Sequence, residues 1–105
     1  MKGFGNLVKE AQKLQAQLES LKQEVAKRKV EATAGGGMVT VEANGRQEIT
    51  AIKIDAEVVN RDDVQMLEDL VLAAVNEALR KAREMVASEM SKLAGGLGGK
   101  LPGLF

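Results

Sequence analysis

Residues 30–55 read VEATAGGGMVTVEANGRQEITAIKID, a stretch in which apolar and polar residues alternate. Alternation with a period of two is typical of β-strands that bury one face. The glycines at 35–37 and the pair Asn44-Gly45 divide the stretch into short segments. Because Asn-Gly is a strong hairpin signal, we predict a type I′ turn there, in which both residues adopt a positive φ. The sequence therefore predicts three strands joined by tight turns.

The third of these strands, residues 47–55, has an imperfect alternation. Ile49 is out of phase with Ile52 and Ile54. An extra residue in one strand shifts the phase of the residues that follow it, so we expect either a β-bulge near residues 50–51 or burial of both faces of this strand.

A heptad pattern of apolar residues precedes the strands. Its alternating spacing of four and three residues predicts a coiled-coil type of helix from about Phe4 to Lys29, ending in a basic run that suits a helix C-terminus. Such a helix is about 39 Å long at about 1.5 Å per residue, so we expect it to project or to pair. We assign the residues of its seam to the core or to a dimer interface: Leu7, Leu14, Leu18, Leu21 and Val25.

A second long helix is predicted after a connector at residues 56–62, with Asp62 or Asp63 as its N-cap. Its apolar residues cover a broad stripe from Leu67 to Met90, which implies more than one packing partner. From residue 95 onward the chain is rich in glycine, which disfavours regular structure. We therefore predict one α+β domain over residues 1–94 and a flexible tail over residues 95–105.

The composition excludes most enzyme chemistry. The chain has 105 residues and contains no His, Cys, Trp or Tyr. Without His or Cys there is no Ser-His or Cys-His nucleophile pair and no imidazole or thiolate metal site. Helix capping explains the adjacent carboxylates at residues 62–63 and 68–69 without a metal ion. We expect a protein that is not an enzyme, with no metal, no cofactor and no small-molecule substrate.

The size of the chain and its hydropathy bear on assembly and location. A domain this small buries only about two-thirds of the surface of its unfolded chain, so association into a homodimer adds useful burial. No segment approaches the roughly 18 consecutive apolar residues of a membrane span. We therefore expect a cytoplasmic homodimer without a membrane partner.

Charge is distributed unevenly along a chain whose net charge is zero. Lys9 and Lys13 lie one turn apart on helix 1, and residues 80–83 of helix 2 contain three further cations. Cations at helical spacing suit phosphate contacts, and the scarcity of aromatic residues disfavours single-stranded nucleic acid, so duplex DNA is the favoured partner. The alternative interpretation is an ordinary solvated helix face, on which the cations pair with neighbouring carboxylates.

Three segments together are distinctive: residues 2–7 read KGFGNL, residues 36–41 read GGMVTV, and residues 101–103 read LPG. On these segments the chain resembles the YbaB/EbfC family of nucleoid-associated proteins. The resemblance implies long helices flanking a three-stranded antiparallel sheet, in a homodimer whose protruding helices hold duplex DNA as tweezers do. It also implies a place in the nucleoid, with effects on nucleoid organisation and gene expression. The positions that match the protruding helices are assigned to DNA contact: Lys9, Lys13, Lys22, Arg80, Lys81 and Arg83.

A protein-interaction module is the main alternative, because long helices around β-hairpins also describe chaperone subunits of the prefoldin-β type. Those proteins bind clients through apolar helix tips. Here helix 1 ends in a basic run at residues 27–29 and helix 2 begins with acidic residues, which disfavours the capture of apolar clients. An enzyme that uses carboxylate or lysine chemistry is a third possibility, but no convergent pair of an acid and a base stands out.

Overall fold

The fold consists of two long helices and one sheet, and a computed structural model describes it over residues 2–98, with side chains described over residues 3–95. The two helices and three strands predicted from the sequence are present, which confirms the α+β fold. In chain order the elements are α1 (Lys2–Lys27), β1 (Lys29–Ala34), β2 (Val39–Asn44), β3 (Ile49–Ile54), a short 3₁₀ helix (Ala56–Val58) and α2 (Val64–Gly98).

The sheet is antiparallel, with β2 between β1 and β3. Glu42 and Ala43 are neighbours in β2, yet they lie opposite Ala51 and Ile49 of β3, so Thr50 has no residue opposite it. This irregularity confirms the bulge expected near residues 50–51. It places the three isoleucines of β3 on one face of the sheet, opposite the inward-facing residues of β2.

The hairpin at Asn44-Gly45 is confirmed, but the predicted type I′ geometry is wrong. The loop is wider, because the Gln47 N–H donates to the Asn44 carbonyl at 3.0 Å. Gln47, rather than Asn44 or Gly45, has the positive φ, at 62°. The Asn44 side-chain oxygen also accepts from the backbone N–H groups of Arg46 at 2.9 Å and Glu48 at 3.1 Å. Since one side chain satisfies two loop amides, a three-residue loop forms instead of the two-residue turn.

The core lies between α2 and the half of the sheet formed by β1 and β2. Alanines spaced four residues apart on α2 let the helix backbone approach the strands closely. α2 makes few contacts with β3, so that strand is only partly covered. The buried residues of the core are Ala32, Val39, Val41, Ala43, Ala74, Ala78 and Ala82.

α2 begins where the sequence predicted and continues further than predicted. The Asp63 carboxylate accepts from the backbone N–H of Met66 at 3.2 Å, which confirms an N-cap at residues 62–63. The helix runs through Gly98 and thus includes the first residues of the segment predicted as a tail. Residues 99–105 lie outside the described residues, so a flexible tail there stays a prediction.

α1 projects away from the sheet. It ends at Lys27 rather than at the predicted Lys29, because Lys29 pairs with Asn44 as the first residue of β1. Burial along its seam falls with distance from the sheet, from Val25 at 2% exposed to Leu7 at 64% exposed. The molecule measures 76 × 22 × 15 Å, so the helix forms an arm, and we use that name for α1 below.

Candidate nucleic-acid interface

The base of the arm is held by two close contacts. A Cβ added to Gly45 would lie 2.2 Å from the Val25 carbonyl oxygen, so the β2–β3 hairpin lies directly against the end of α1. Just beyond the arm, Arg28 donates to the Glu89 carboxylate of α2 at 2.6 Å. That hydrogen bond lowers the pKa of the Glu89 carboxyl below its ordinary value. These contacts hold the base of α1 against both the hairpin and α2.

The outer part of the arm carries Lys9 and Lys13, two of the lysines that the sequence analysis assigned to DNA contact. Lys9 and Lys13 line one shallow surface with Asn6 and Glu10, and all four are exposed. Within the described part of the chain, neither lysine forms a salt bridge. Two unpaired ammonium groups one turn apart can therefore reach a phosphate backbone without first losing an intramolecular partner.

Lys22 lies apart from these lysines. Lys22 follows Lys13 by nine positions, which at about 100° per residue places the two side chains on opposite sides of α1. Lys22 instead lines a depression of about 540 Å³ at the base of the arm, together with Arg46 and Met90. Arg46 is a cation that the sequence analysis did not assign to the site. The sequence placed Arg46 in the hairpin loop after Asn44-Gly45. It did not indicate that this loop lies beside α1.

The cations of α2 differ in the hydrogen bonds and salt bridges that they form with other residues. Arg80 bonds to Glu77 and Glu84 on its own helix, and the hydrogen bond with Glu77 is the main cause of a raised pKa of the guanidinium. Lys81 donates to the Glu31 carbonyl of β1 at 3.0 Å. Arg83 is exposed, and it forms no salt bridge among the residues described. Of the three cations, Arg83 is therefore the most available to bind a phosphate.

An apolar surface is exposed where α2 meets β3. Ile52 and Ile54 are 46% and 42% exposed on the sheet face that carries α2, because the helix covers the other two strands. Leu72 is 61% exposed, and helix geometry places it on the side of α2 opposite Lys81, which binds β1. We call the three residues Ile52, Ile54 and Leu72 the α2–β3 surface.

The predicted α1 seam is partly internal to the single chain. Val25 is buried, Leu14, Leu18 and Leu21 are half-buried, and Leu7 is exposed. Leu72 was not identified from the sequence, since it lies outside the stripe predicted on helix 2. β3 is left uncovered because α2 crosses the sheet over β1 and β2. The local sequence of β3 does not specify where that helix crosses.

Comparison with known proteins agrees with the fold and with the sequence pattern. Residues 1–97 match the YbaB/EbfC DNA-binding family. The chain belongs to that family. The family resemblance inferred from the sequence is therefore confirmed.

Relatives of this YbaB/EbfC chain include bacterial proteins with similar lengths. A nucleoid-associated protein of Acetivibrio thermocellus is 61% identical over 98% of this chain and 94% of the relative. A nucleoid-associated protein of Thermoanaerobacter pseudethanolicus is 56% identical over 97% of this chain and 90% of the relative. The crystal structure of an uncharacterized protein, HP0035 from Helicobacter pylori, shares the fold with a TM-score of 0.67 at 21% identity, covering 90% of this chain and 95% of that one.

Two other kinds of site, a membrane span and a metal site, are absent from the described part of this family member. No helix in it has an apolar stretch long enough to cross a bilayer. No group of three or more carboxylates lies close enough together there to hold a metal ion. The exposed cations and the exposed apolar side chains are the features of this chain that suit binding to another molecule.

Proposed function

We propose that this protein binds duplex DNA as a homodimer, through cations on α1 and α2, and acts at the bacterial nucleoid in the cytoplasm. The observation that carries the proposal is the pair of exposed lysines, Lys9 and Lys13, on the projecting arm of a chain that belongs to a DNA-binding family. Effects on nucleoid organisation and gene expression would follow from such binding. The function needs no catalysis, metal or cofactor.

The six proposed DNA-contacting residues differ in whether they must break an intramolecular contact before they bind a phosphate. Lys9, Lys13 and Arg83 are exposed without a salt bridge in the described chain, and they contact phosphates directly. Arg80 and Lys81 first have to release Glu77, Glu84 or the Glu31 carbonyl. Exposed ion pairs are worth little, so these cations can exchange partners. Lys22 contributes at the base of the arm beside Arg46.

The α2–β3 surface supports the proposed dimer. Large apolar side chains as exposed as Ile52, Ile54 and Leu72 on a small soluble domain mark an interaction surface, and a second copy of the chain offers an equally apolar face. This surface accounts for a dimer better than the α1 seam does, since Val25 is buried within one chain and most of the seam is half-buried. Two arms in one assembly would double the number of cations facing one duplex.

A binding titration tests the proposal. Labelled duplex is titrated with protein at about 50 and about 200 mM salt, and the slope of log affinity on log salt is expected to be about −4.5 for about five neutralised phosphates. The double reversal Lys9→Glu with Lys13→Glu should weaken binding and flatten the slope. Lys53→Glu with Arg61→Glu changes the net charge equally, away from the arm, and should weaken binding less. Equal affinity and slope for the arm variant and the parent protein would refute the role of the arm.

A second candidate function is the capture of apolar polypeptides, favoured by Phe4 and Leu7, which are 66% and 64% exposed at the free end of α1. The basic run that disfavoured this function lies at the sheet end of α1, whereas the free end of the helix is apolar. Suppression of the aggregation of an unfolded client at a stoichiometric ratio, without duplex binding, would favour this second candidate.

A further inference from the structure

The free end of α1 carries apolar side chains that the rest of the described chain leaves exposed. Phe4 is 66% exposed, Leu7 64% and Val8 41%, and we call these three residues the apolar tip. Leu14 and Leu18, which continue the same seam toward the sheet, are half-buried. Cover over the seam therefore stops between Leu14 and Leu7.

The two long helices lie side by side and run in opposite directions. The 26 residues of α1 and the 35 residues of α2 make helices of about 39 and about 52 Å. A molecule of 76 × 22 × 15 Å accommodates both helices only along its long axis. Met90 of α2 and Lys22 of α1 line one depression, so these two residues lie at the same level of the molecule. Because 76 Å exceeds the length of α2, α1 extends from this level in the direction in which α2 leaves the sheet.

The described part of α2 ends beside the point at which the seam becomes exposed. From Met90 to Gly98 the helix advances eight positions, which is about 12 Å. The same distance along α1, from Lys22 toward the free end, leads to Leu14. Gly98 therefore lies beside Leu14, about 11 Å along the arm from the level of Leu7.

The segment that follows α2 is apolar and long enough to reach the tip. Residues 99–105 read GKLPGLF, and its large apolar side chains, which we call the apolar tail, are Leu101, Leu104 and Phe105. Pro102 has no N–H to donate and so disfavours a continued helix. Seven residues span up to about 23 Å when extended, roughly twice the distance from the end of α2 to the level of Leu7.

We propose that the apolar tail continues past the end of α2, packs on Phe4 and Leu7 of the same chain, and caps the free end of the arm. A short tether gives the tail a high effective concentration at its own tip, which favours it over a free polypeptide. Such a cap replaces the flexible tail predicted from the glycine content. It keeps the tip from associating with apolar surfaces of other molecules.

The cap is compatible with the proposed DNA binding and does not depend on it. Lys9 follows Leu7 by two positions, about 200° around the helix, so its side chain lies on the opposite side of α1. A tail packed on Leu7 therefore leaves Lys9 accessible to a phosphate.

Tryptophan fluorescence tests the cap, because the chain has no Trp and no Tyr. Phe105→Trp makes the tail the single strong fluorophore and keeps it apolar. Without DNA, its emission should be blue-shifted and quenched several-fold less by acrylamide than that of free tryptophan. Adding Leu7→Gln should abolish both effects. Lys9→Gln creates the same residue on the opposite side of α1 and is the matched control, which should leave both effects unchanged.

A reciprocal measurement places the fluorophore on the tip. Phe4→Trp in the full chain should be protected from acrylamide, and removal of residues 99–105 should shift its emission to the red and raise the quenching several-fold. The elements of the fold lie within residues 2–98, so the shortened protein should keep its helical content, which circular dichroism verifies.

A mixing experiment distinguishes the tip of the same chain from that of a second copy. The Phe105→Trp, Leu7→Gln double variant is unfolded in urea and refolded with an excess of the chain shortened after Gly98, which offers an intact tip and no tail. The emission should stay red-shifted. Return of the blue shift would show that the tail binds a second copy and would overturn the cap.

The remaining outcomes also decide the question. Equal quenching of Phe105→Trp with and without Leu7→Gln would mean that the tail is flexible and would overturn the cap. Protection of Phe4→Trp in the full chain only after an unfolded client is added would show an open tip and would overturn it as well. Because no DNA is present, these results leave the proposed DNA binding standing, and failure of the protein to bind duplex would leave the cap standing.

Discussion

The Arg28 guanidinium lies 2.6 Å from a carboxylate oxygen of Glu89, so the residue that follows α1 is joined to the distal half of α2. Lys92 lies 3.5 Å from the same oxygen. Glu89 is largely shielded from solvent, with 15% of its side chain exposed, whereas Arg28 is 46% exposed. The pair therefore connects the base of the arm to the helix that covers the sheet, and it helps to set the direction of the arm.

The first prediction concerns the pH dependence of this contact. Because the hydrogen bond from Arg28 lowers the pKa of Glu89 below its ordinary value of 4.5, the pair stabilises the fold at pH values above that value. Its contribution is lost as the pH falls through the lowered pKa, where the carboxyl is protonated. Glu89→Gln should thus destabilise the protein at pH 7 and destabilise it less near pH 3. Urea denaturation at both pH values measures this, with Glu68→Gln as an exposed control on the same helix. An equal loss for Glu89→Gln at both pH values would contradict the ionic origin of the effect.

The second prediction concerns Gly45. A Cβ there would lie 2.2 Å from the backbone oxygen of Val25, and backbone atoms yield less easily than flexible side chains. Gly45→Ala should lower the free energy of unfolding by about 1–3 kcal/mol through overpacking. Gly3→Ala is the control, since its Cβ would meet nothing within 4 Å. Thermal denaturation of both variants provides the measurement, and equal stabilities for the two would mean that the hairpin does not press on α1.

The third prediction concerns assembly through the α2–β3 surface. The parent protein should sediment with twice its monomer mass. Ile52→Asp places a carboxylate in the proposed interface, where its desolvation is costly, and should weaken association at least about 100-fold, equivalent to about 2.8 kcal/mol. Thr33→Asp adds the same charge on the opposite face of the sheet and should leave the dimer intact. A monomeric parent protein, or a fully dimeric and folded Ile52→Asp variant, would refute the interface.

The fourth prediction ranks the proposed DNA contacts. Lys13 has no salt bridge in the described chain, whereas Arg80 is held by Glu77 and Glu84. Each phosphate contact contributes about 0.9 to the salt slope. Lys13→Gln should therefore flatten the slope by up to about 0.9, and Arg80→Gln should flatten it less. Salt titrations of both variants, with circular dichroism to verify helical content, make the comparison. A larger effect for Arg80→Gln would show that its ion pairs open on binding.

Local features of this protein could be predicted from its sequence because short-range physics produces them. Period-two alternation predicted the three strands, the phase shift after Ile49 predicted the bulge, and Asp63 was identified as a helix cap. The heptad predicted the arm, although it did not indicate which seam residues the chain itself would cover. The family resemblance also came from short segments whose residues are adjacent in the sequence.

Packing between distant segments determined the rest. The Asn44 side chain and the nearby end of α1 set the shape of the hairpin loop, so Gly45 serves close approach rather than positive φ. The path of α2 over β1 and β2 leaves Ile52 exposed, although its own strand pattern is that of a buried residue. Lys81 is bound to a strand 50 positions earlier in the chain. Such relations depend on distances between elements, which a linear pattern of apolar and charged residues does not contain.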